Sequence, residues 1–234
     1  MQTLMLKTMF STVAETYDLA NKVLTFGLDK RWRRACVRES PFGRYVVDLC
    51  CGTGDLTLNL LPNIKAGSFI LGLDFSKEML ARAVVKNKKT RKSEIHYAFV
   101  NADAAHLPLR NEFIDDIRIS FSFRNLIYKN PQANTYLKEV SNALKDGGRL
   151  TCVETSQPKN CLVRRFFQFY CLRIVPFVGG LLSGRKPAYK YLGKSAANFP
   201  FPKEILIMMK KVGLADVAFK PLSFGIVGLY MAVK

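Results

Sequence analysis

Asp48-Leu49-Cys50-Cys51-Gly52-Thr53-Gly54-Asp55 is the stretch on which the reading of this chain turns; the apolar run Tyr45-Val46-Val47 leads into it and Leu56-Thr57-Leu58 follows. A buried strand that passes through a glycine turn into a helix opens an α/β unit, and open parallel sheets bind ligands beyond the carboxyl ends of their strands. Gly52 and Gly54 lack a Cβ, so backbone can approach a ligand closely there. A nicotinamide fingerprint needs a third glycine at position 57, where Thr57 stands. The acid at Asp48, four residues ahead of Gly52, suits a cationic amino-acid cofactor better than a pyrophosphate.

Working outward, strand-length apolar runs alternate with helical patterns. Residues 45–50, 68–74, 96–101, 114–121, 149–154 and 224–233 read as strands; 56–61, 77–88, 131–144 and 203–212 read as helices. Pro131 sits in the first turn of its helix, and the turn Lys145-Asp146-Gly147-Gly148 ends it. Alternation of this kind predicts a parallel sheet covered on both faces. Two segments lie outside it. The first 40 residues look helical, with Met9, Val13, Tyr17 and Ala20 at helical spacing, and residues 160–200 hold a dense aromatic and basic segment. One domain is expected over residues 1–234, with residues 1–40 as an N-terminal helical cap and residues 160–200 as a helical insertion.

Two further acids stand at consecutive strand ends. Asp74 closes the second strand, where a carboxylate can accept both hydroxyls of a ribose, and Asn101-Ala102-Asp103-Ala104 follows the third, placed to meet an adenine. The competing reading of each acid is a helix cap or a solvated loop end. Together with the D-x-x-x-G-x-G arrangement they predict a Rossmann-like class I methyltransferase, a mostly parallel seven-stranded sheet binding S-adenosylmethionine and releasing S-adenosylhomocysteine. Asp48, Gly52, Gly54, Asp74, Asp103 and Ala104 are the expected cofactor residues.

The charge is lopsided, 36 Lys+Arg against 18 Asp+Glu, a formal +18 that attracts nucleic acid or an anionic membrane leaflet. It gathers in Lys30, Arg31, Arg33, Arg34 and Arg38, and again in Lys86, Lys88, Lys89, Arg91 and Lys92. A solubilising surface is the plainer reading of both clusters. The longest run free of charged residues covers 221–233, short of the roughly 18–20 residues of a membrane span, so none is expected. Neither is a secretory signal, because Lys7, Glu15 and Asp18 interrupt the apolar N-terminus. The six cysteines form no CxxC pair and suit reduced core thiols; no metal is expected.

A finer resemblance rests on motifs along nearly the whole chain. They include Met9-Phe10, Tyr17-Asp18, Phe26-Gly27-Leu28-Asp29, Arg31-Trp32-Arg33-Arg34, Asp74-Phe75-Ser76 and Arg124-Asn125. Gly147-Gly148-Arg149-Leu150, Ser183-Gly184, Ala188-Tyr189-Lys190-Tyr191-Leu192 and Phe224-Gly225-Ile226-Val227 complete them. In these the chain resembles the ubiquinone/menaquinone biosynthesis C-methyltransferases. The resemblance implies that Thr53, Asp74, Asp103, Ala104 and Ser120 touch the cofactor and that Arg124 and Asn125 are catalytic. It also implies that Tyr17, Arg124 and Tyr189 bind a prenylated hydroquinone, either demethylmenaquinol or a polyprenyl benzoquinol. Ser122 and Phe123 replace a usual Gly-Leu, which predicts a narrower approach to Arg124; Thr155, Arg185 and Tyr230 also depart from the pattern.

The chemistry follows without the family. Methylation at an aromatic carbon needs a reduced ring whose phenol loses its proton. Arg124, always protonated, is assigned to the developing phenolate, with Asn125 orienting the oxygen and water taking the proton. The lipid-soluble tail gives the Phe/Arg segment 160–186 a purpose at an anionic membrane surface. Cytoplasmic, peripherally membrane-associated placement is therefore expected, with homo-oligomerisation open. The rivals are an RNA methyltransferase, for which the expected Asn/Asp-Pro-Pro-aromatic motif is lacking, a thiol-dependent metalloid methyltransferase, and a cofactor-binding scaffold subunit. No nucleic-acid partner is expected.

Overall fold

A computed structural model describes residues 2–39, 42–88 and 95–234. Three helices come first, α1 (Gln2–Val13), α2 (Tyr17–Leu24) and α3 (Asp29–Arg38), followed by β1 (Tyr45–Leu49), α4 (Asp55–Leu60), β2 (Phe69–Asp74), α5 (Lys77–Lys88) and β3 (His96–Asn101). Then come β4 (Ile114–Ser120), α6 (Phe123–Ile127), α7 (Ala133–Ala143) and β5 (Leu144–Thr155). The chain ends with α8 (Cys161–Phe169), α9 (Val175–Ser183), α10 (Lys186–Ala197), α11 (Pro202–Lys211), β6 (Ala215–Leu222) and β7 (Val227–Val233).

The seven strands form one sheet in the order β3-β2-β1-β4-β5-β7-β6, with β7 antiparallel to both its neighbours and the rest parallel. The order reverses between β1 and β4, which opens a crevice at their carboxyl ends. Side chains alternate across β1. Val47 and Leu49 join the core shared with α7 and α11, whereas Val46 packs in the cluster of Val37 from α3 and Leu56 from α4. Asp48 shares the face of Val46, which settles where its carboxylate goes.

Two strand assignments differ from the sequence reading. The expected turn at residues 145–148 lies within β5, which pairs Ile114 with Leu144, then slips before pairing Asp116 with Arg149. Gly147, at φ +75°, takes up that bulge. Residues 215–222, which carry no strand pattern in the sequence, form the edge strand β6, whose side chains are mostly exposed and which carries Lys220 and Pro221. Such an edge lacks the apolar run of the central strands.

Residues 161–183 are one helix, in which a π turn at Tyr170–Ile174 joins α8 to α9. Asn160 caps its start, accepting from the backbone N–H groups of Leu162 and Val163. The helix is 23 residues long with mean hydropathy 1.4, long and apolar enough to cross a membrane by length and composition alone, although its arginines break the charge-free run that a span is expected to show. Here it lies against α10: a Cβ at Gly193 would stand 1.9 Å from the Cys171 carbonyl oxygen, so only glycine permits that approach. Its outer face, with Phe166, Phe169, Phe177 and Leu181, is exposed. The expected N-terminal helices are present, and α1 and α2 share a core with α9 and α10.

Candidate active site

Two cavities meet beside the carboxyl ends of β1 and β4, and Phe10 and Tyr17 line both. The narrower one is walled by Gly52 from the glycine turn, Asp74 and Phe75 after β2, Asp103 and Ala104 after β3, and Asn125 from α6. Asp74 is buried, and each carboxylate oxygen accepts one backbone N–H, from Gly52 at 2.8 Å and from Ser76 at 2.9 Å. The Phe75 N–H also bonds this carboxylate, which keeps acceptor capacity for ligand hydroxyls. Burial pushes its carboxyl up to about 6, against the pull of those backbone bonds. Asp103 braces its own loop by accepting from the Ala105 N–H. The Asn125 side-chain oxygen, in the same wall, is buried and has no protein partner among the described residues.

Four expected cofactor residues stand behind this wall. Asp48 is fully enclosed and does not line the cavity; its Oδ2 accepts from the Thr57 N–H at 2.8 Å and the Thr57 hydroxyl at 2.6 Å. It thereby ties the glycine turn to the first turn of α4, because the alternation along β1 points it into the helix layer. Desolvation raises its carboxyl to about 7, and its Oδ1 has no partner among the described residues. Thr53 donates to Asp18 at 2.7 Å and accepts from Lys86 at 3.0 Å. Lys86 also reaches Asp55 at 2.6 Å and Asp18 at 2.6 Å, so α2, α4 and α5 are clasped through one ammonium group. Gly54, at φ +78°, is hemmed in by Asn87 and Ala83 and serves the backbone turn. Ser120 accepts from Arg33 Nε at 3.1 Å.

The wider cavity holds about 490 Å³ and is largely apolar, with Leu24, Trp32, Phe121, Phe166, Tyr170 and Val175 among its walls. Arg124 lies in its wall. Its Nη1 donates to Glu154 Oε1 at 2.7 Å and to Thr155 Oγ1 at 3.3 Å, and its Nε donates to Ser195 at 2.9 Å. No described residue accepts from its Nη2. The ion pair is buried, since Arg124 is nearly enclosed and Glu154 has no exposed surface. Arg124 and Asn125, consecutive on the short helix α6, thus face different cavities. Tyr17 stands between them, its hydroxyl bonded to Asn21 and held above the ordinary phenol range by burial.

Tyr189 lines neither cavity. Its ring packs on Gly179 between α9 and α10, where a Cβ would stand 2.1 Å from it. Nor does Phe123 narrow the approach to Arg124: it is buried in the central core against Tyr230, ring centroids 6.0 Å apart. Ser122 lines the narrow cavity, Thr155 the wide one, and Arg185 is an exposed residue ahead of α10. The residues that sequence reasoning missed are Glu154 as counterion, Lys86 as clasp, and the pair Asp29 and Arg33 on α3, buried in the wall of the wide cavity. The i, i+4 spacing of that last pair was the available signal. Of the second basic cluster, Lys89, Arg91 and Lys92, with the Lys88 side chain, lie outside the described residues.

Burial silences the thiols: those of Cys50, Cys51 and Cys152 are pushed well above their ordinary range, first by desolvation and then by neighbouring acids and thiols, which argues against thiol-dependent chemistry.

A seven-stranded sheet with this order, a glycine turn after β1 and carboxylates after β2 and β3 define a class I S-adenosylmethionine-dependent methyltransferase. Comparison with solved structures agrees on the fold. An S-adenosylmethionine-dependent methyltransferase from Clostridium acetobutylicum superposes with a TM-score of 0.64 at 16% identity, covering 94% of this chain and 97% of that one. The family is narrower. The model of the ubiE/COQ5 methyltransferase family matches residues 2–234, and the chain belongs to that family. It is 35% identical over 98% of its length to a ubiquinone/menaquinone biosynthesis C-methyltransferase of Geobacter sulfurreducens, covering 88% of that protein. It is also 35% identical to a demethylmenaquinone methyltransferase of Thermus thermophilus, covering 95% of this chain and 98% of the other.

The residues of the narrow cavity fit the cofactor: two acids at strand ends, an unsatisfied amide oxygen and a glycine whose added Cβ would meet open space. When bound, S-adenosylmethionine supplies an electrophilic methyl group.

Proposed function

We propose that this chain methylates a ring carbon of a prenylated hydroquinone in quinone biosynthesis. Asp74 holds the cofactor ribose, Asp103 and Ala104 face its adenine, and Gly52 lets the backbone close on it, while Asp48, Thr53, Gly54 and Ser120 keep the cradle in shape. The observation that carries the reading is Arg124, backed by the buried Glu154, in the wall of a largely apolar cavity that shares Phe10 and Tyr17 with the cofactor cavity. A ring placed there has its oxygen against Arg124 Nη2 and its carbon toward the narrow cavity. Tyr17 and Asn125 hold the boundary between the two, and orientation of this kind accounts for much of a methyl transfer's acceleration.

The prenyl tail follows the apolar walls outward past Phe166 and Phe26, both exposed at the mouth. Exposed Phe166, Phe169, Phe177 and Leu181 beside Arg164, Arg165 and Arg173 suit an anionic lipid surface, where such a tail resides. The decisive experiment offers purified protein a prenylated benzohydroquinone or naphthohydroquinone kept reduced with dithionite, together with S-adenosylmethionine. Mass spectrometry should find one added methyl on ring carbon; methylation of RNA, with none of either hydroquinone, would refute the reading.

A further inference from the structure

We propose that Asp29 is a catalytic residue, the base that takes the phenolic proton of the acceptor as its ring carbon is methylated. The inference rests on the hydroquinone reading above. Such a ring needs a proton acceptor, and Arg124 and Arg33, being permanently charged, cannot serve. Among the described residues that line the wide cavity, Asp29 is the single carboxylate. Glu154 is not in the wall, and its oxygens already accept from the Arg124 side chain and backbone and from Thr155. Tyr17 is a neutral phenol, no more basic than the acceptor itself.

Asp29 is also held in one place. It opens α3; Oδ2 accepts from Arg33 Nη1, and Oδ1 lies 3.1 Å from the Thr25 hydroxyl, whose one proton is shared with the Asn21 carbonyl at 2.7 Å. Each oxygen keeps a further acceptor site. Arg33 is fixed in turn by Ser120 at 3.1 Å, by Asp55 at 3.6 Å, and by lying over the Phe121 ring at 5.5 Å. A buried carboxylate braced in this way, with Leu24, Leu28, Trp32 and Phe121 also in the cavity wall, is oriented for one task.

In the proposed step the phenolic O–H bond breaks and its proton passes to an oxygen of Asp29. The freed pair forms a C=O bond and displaces ring electrons onto the attacking carbon. That carbon bonds the methyl group while the pair of the breaking C–S bond stays on sulfur. The methylated dienone then gives its ring C–H proton to water and recovers a proton on oxygen from Asp29, so the hydroquinone is restored with one proton released in all.

The test is Asp29→Asn, assayed at pH 8.5 with two reduced acceptors, the parent prenylated hydroquinone and a chlorinated one whose phenol is already ionised there. Loss of a general base typically costs about 10²–10⁴ in rate, and that loss is expected for the parent only. The ionised acceptor should be methylated within about threefold of the wild-type rate, because it needs no base. Calorimetric affinity for S-adenosylmethionine should be unchanged. Equal losses on both acceptors, or loss on neither, would overturn the assignment. Should circular dichroism show that the Asn variant does not fold, Asp29→Glu keeps the charge and carries the same comparison: a loss confined to the parent supports the role, and equal effects overturn it. Wild-type protein inactive on both hydroquinones would instead refute the proposed function, and the Asp29 role with it.

Discussion

Removing Arg124 does two separable things. Its partner Glu154 has no exposed surface, so Arg124→Met leaves a buried carboxylate whose counterion is gone, with only Thr155 and the backbone N–H of residue 124 still donating to it. Breaking a buried pair from one side costs about 3–5 kcal/mol. For a chain of this size that lowers the melting temperature by roughly 6–20 °C. The double variant Arg124→Met with Glu154→Gln removes both charges, and its melting temperature should return most of the way, since a neutral replacement carries no unpaired charge. Turnover should not return with it. If Arg124 Nη2 meets oxygen charge that develops only during methyl transfer, its loss costs about 10²–10³ in rate in either variant. Arg124→Lys should recover little, because a point charge cannot span Ser195, Glu154 and the acceptor together. Scanning calorimetry and single-turnover methylation of a reduced acceptor give the two readouts. A double variant that regains wild-type turnover as it regains stability would reduce Arg124 to a structural counterion.

Asp74→Ala should weaken S-adenosylmethionine binding at least tenfold, as a charge-assisted bond contributes roughly 1.5–3 kcal/mol; unchanged affinity by calorimetric titration would remove the ribose role. Burial lifts Asp48 to about 7 and Asp74 to about 6, so the folded chain takes up these protons before the unfolded chain does as pH falls. Their contribution to stability is therefore full below the ordinary aspartate range and lost as pH rises through 6 and 7. Urea titrations at pH 5 and pH 8 should show a smaller acid-side gain for Asp48→Asn than for wild type, and an identical pH dependence would contradict the burial argument. Cofactor affinity should move the opposite way, falling about tenfold per pH unit below 6 as Asp74 is neutralised. Sedimentation with vesicles should show binding that requires anionic lipid, weakens with salt and drops on Phe166→Ser with Phe177→Ser; equal binding to neutral vesicles at every salt concentration would leave the cationic surface without this role.

The central strands were legible in the amino-acid order because a strand buried on both faces must be apolar nearly throughout, as Tyr45-Val46-Val47 and Ile117-Arg118-Ile119 very nearly are. Arg118 is the instructive exception, fully buried because Asp116 beside it and the Cys36 carbonyl above it absorb its donors. The glycine turn and the acids at strand ends were legible too, since backbone approach and hydroxyl binding demand particular residue types at particular places. Edge strand β6 was not: one neighbouring strand and mostly exposed side chains leave little apolar pattern to read. Above all, sequence could not assign direction. Asp48 and Asp74 both end strands beside the same crevice, yet one points into the helix layer and the other into the cavity. Arg124 and Asn125 are adjacent in the chain but serve different cavities, and Asp29 of α3 lines the same cavity as Arg124 of α6 and Thr155 of β5. Which way a side chain points is decided by the packing of elements distant in the chain, and that packing exists only once the sheet has assembled and its helices have closed over it.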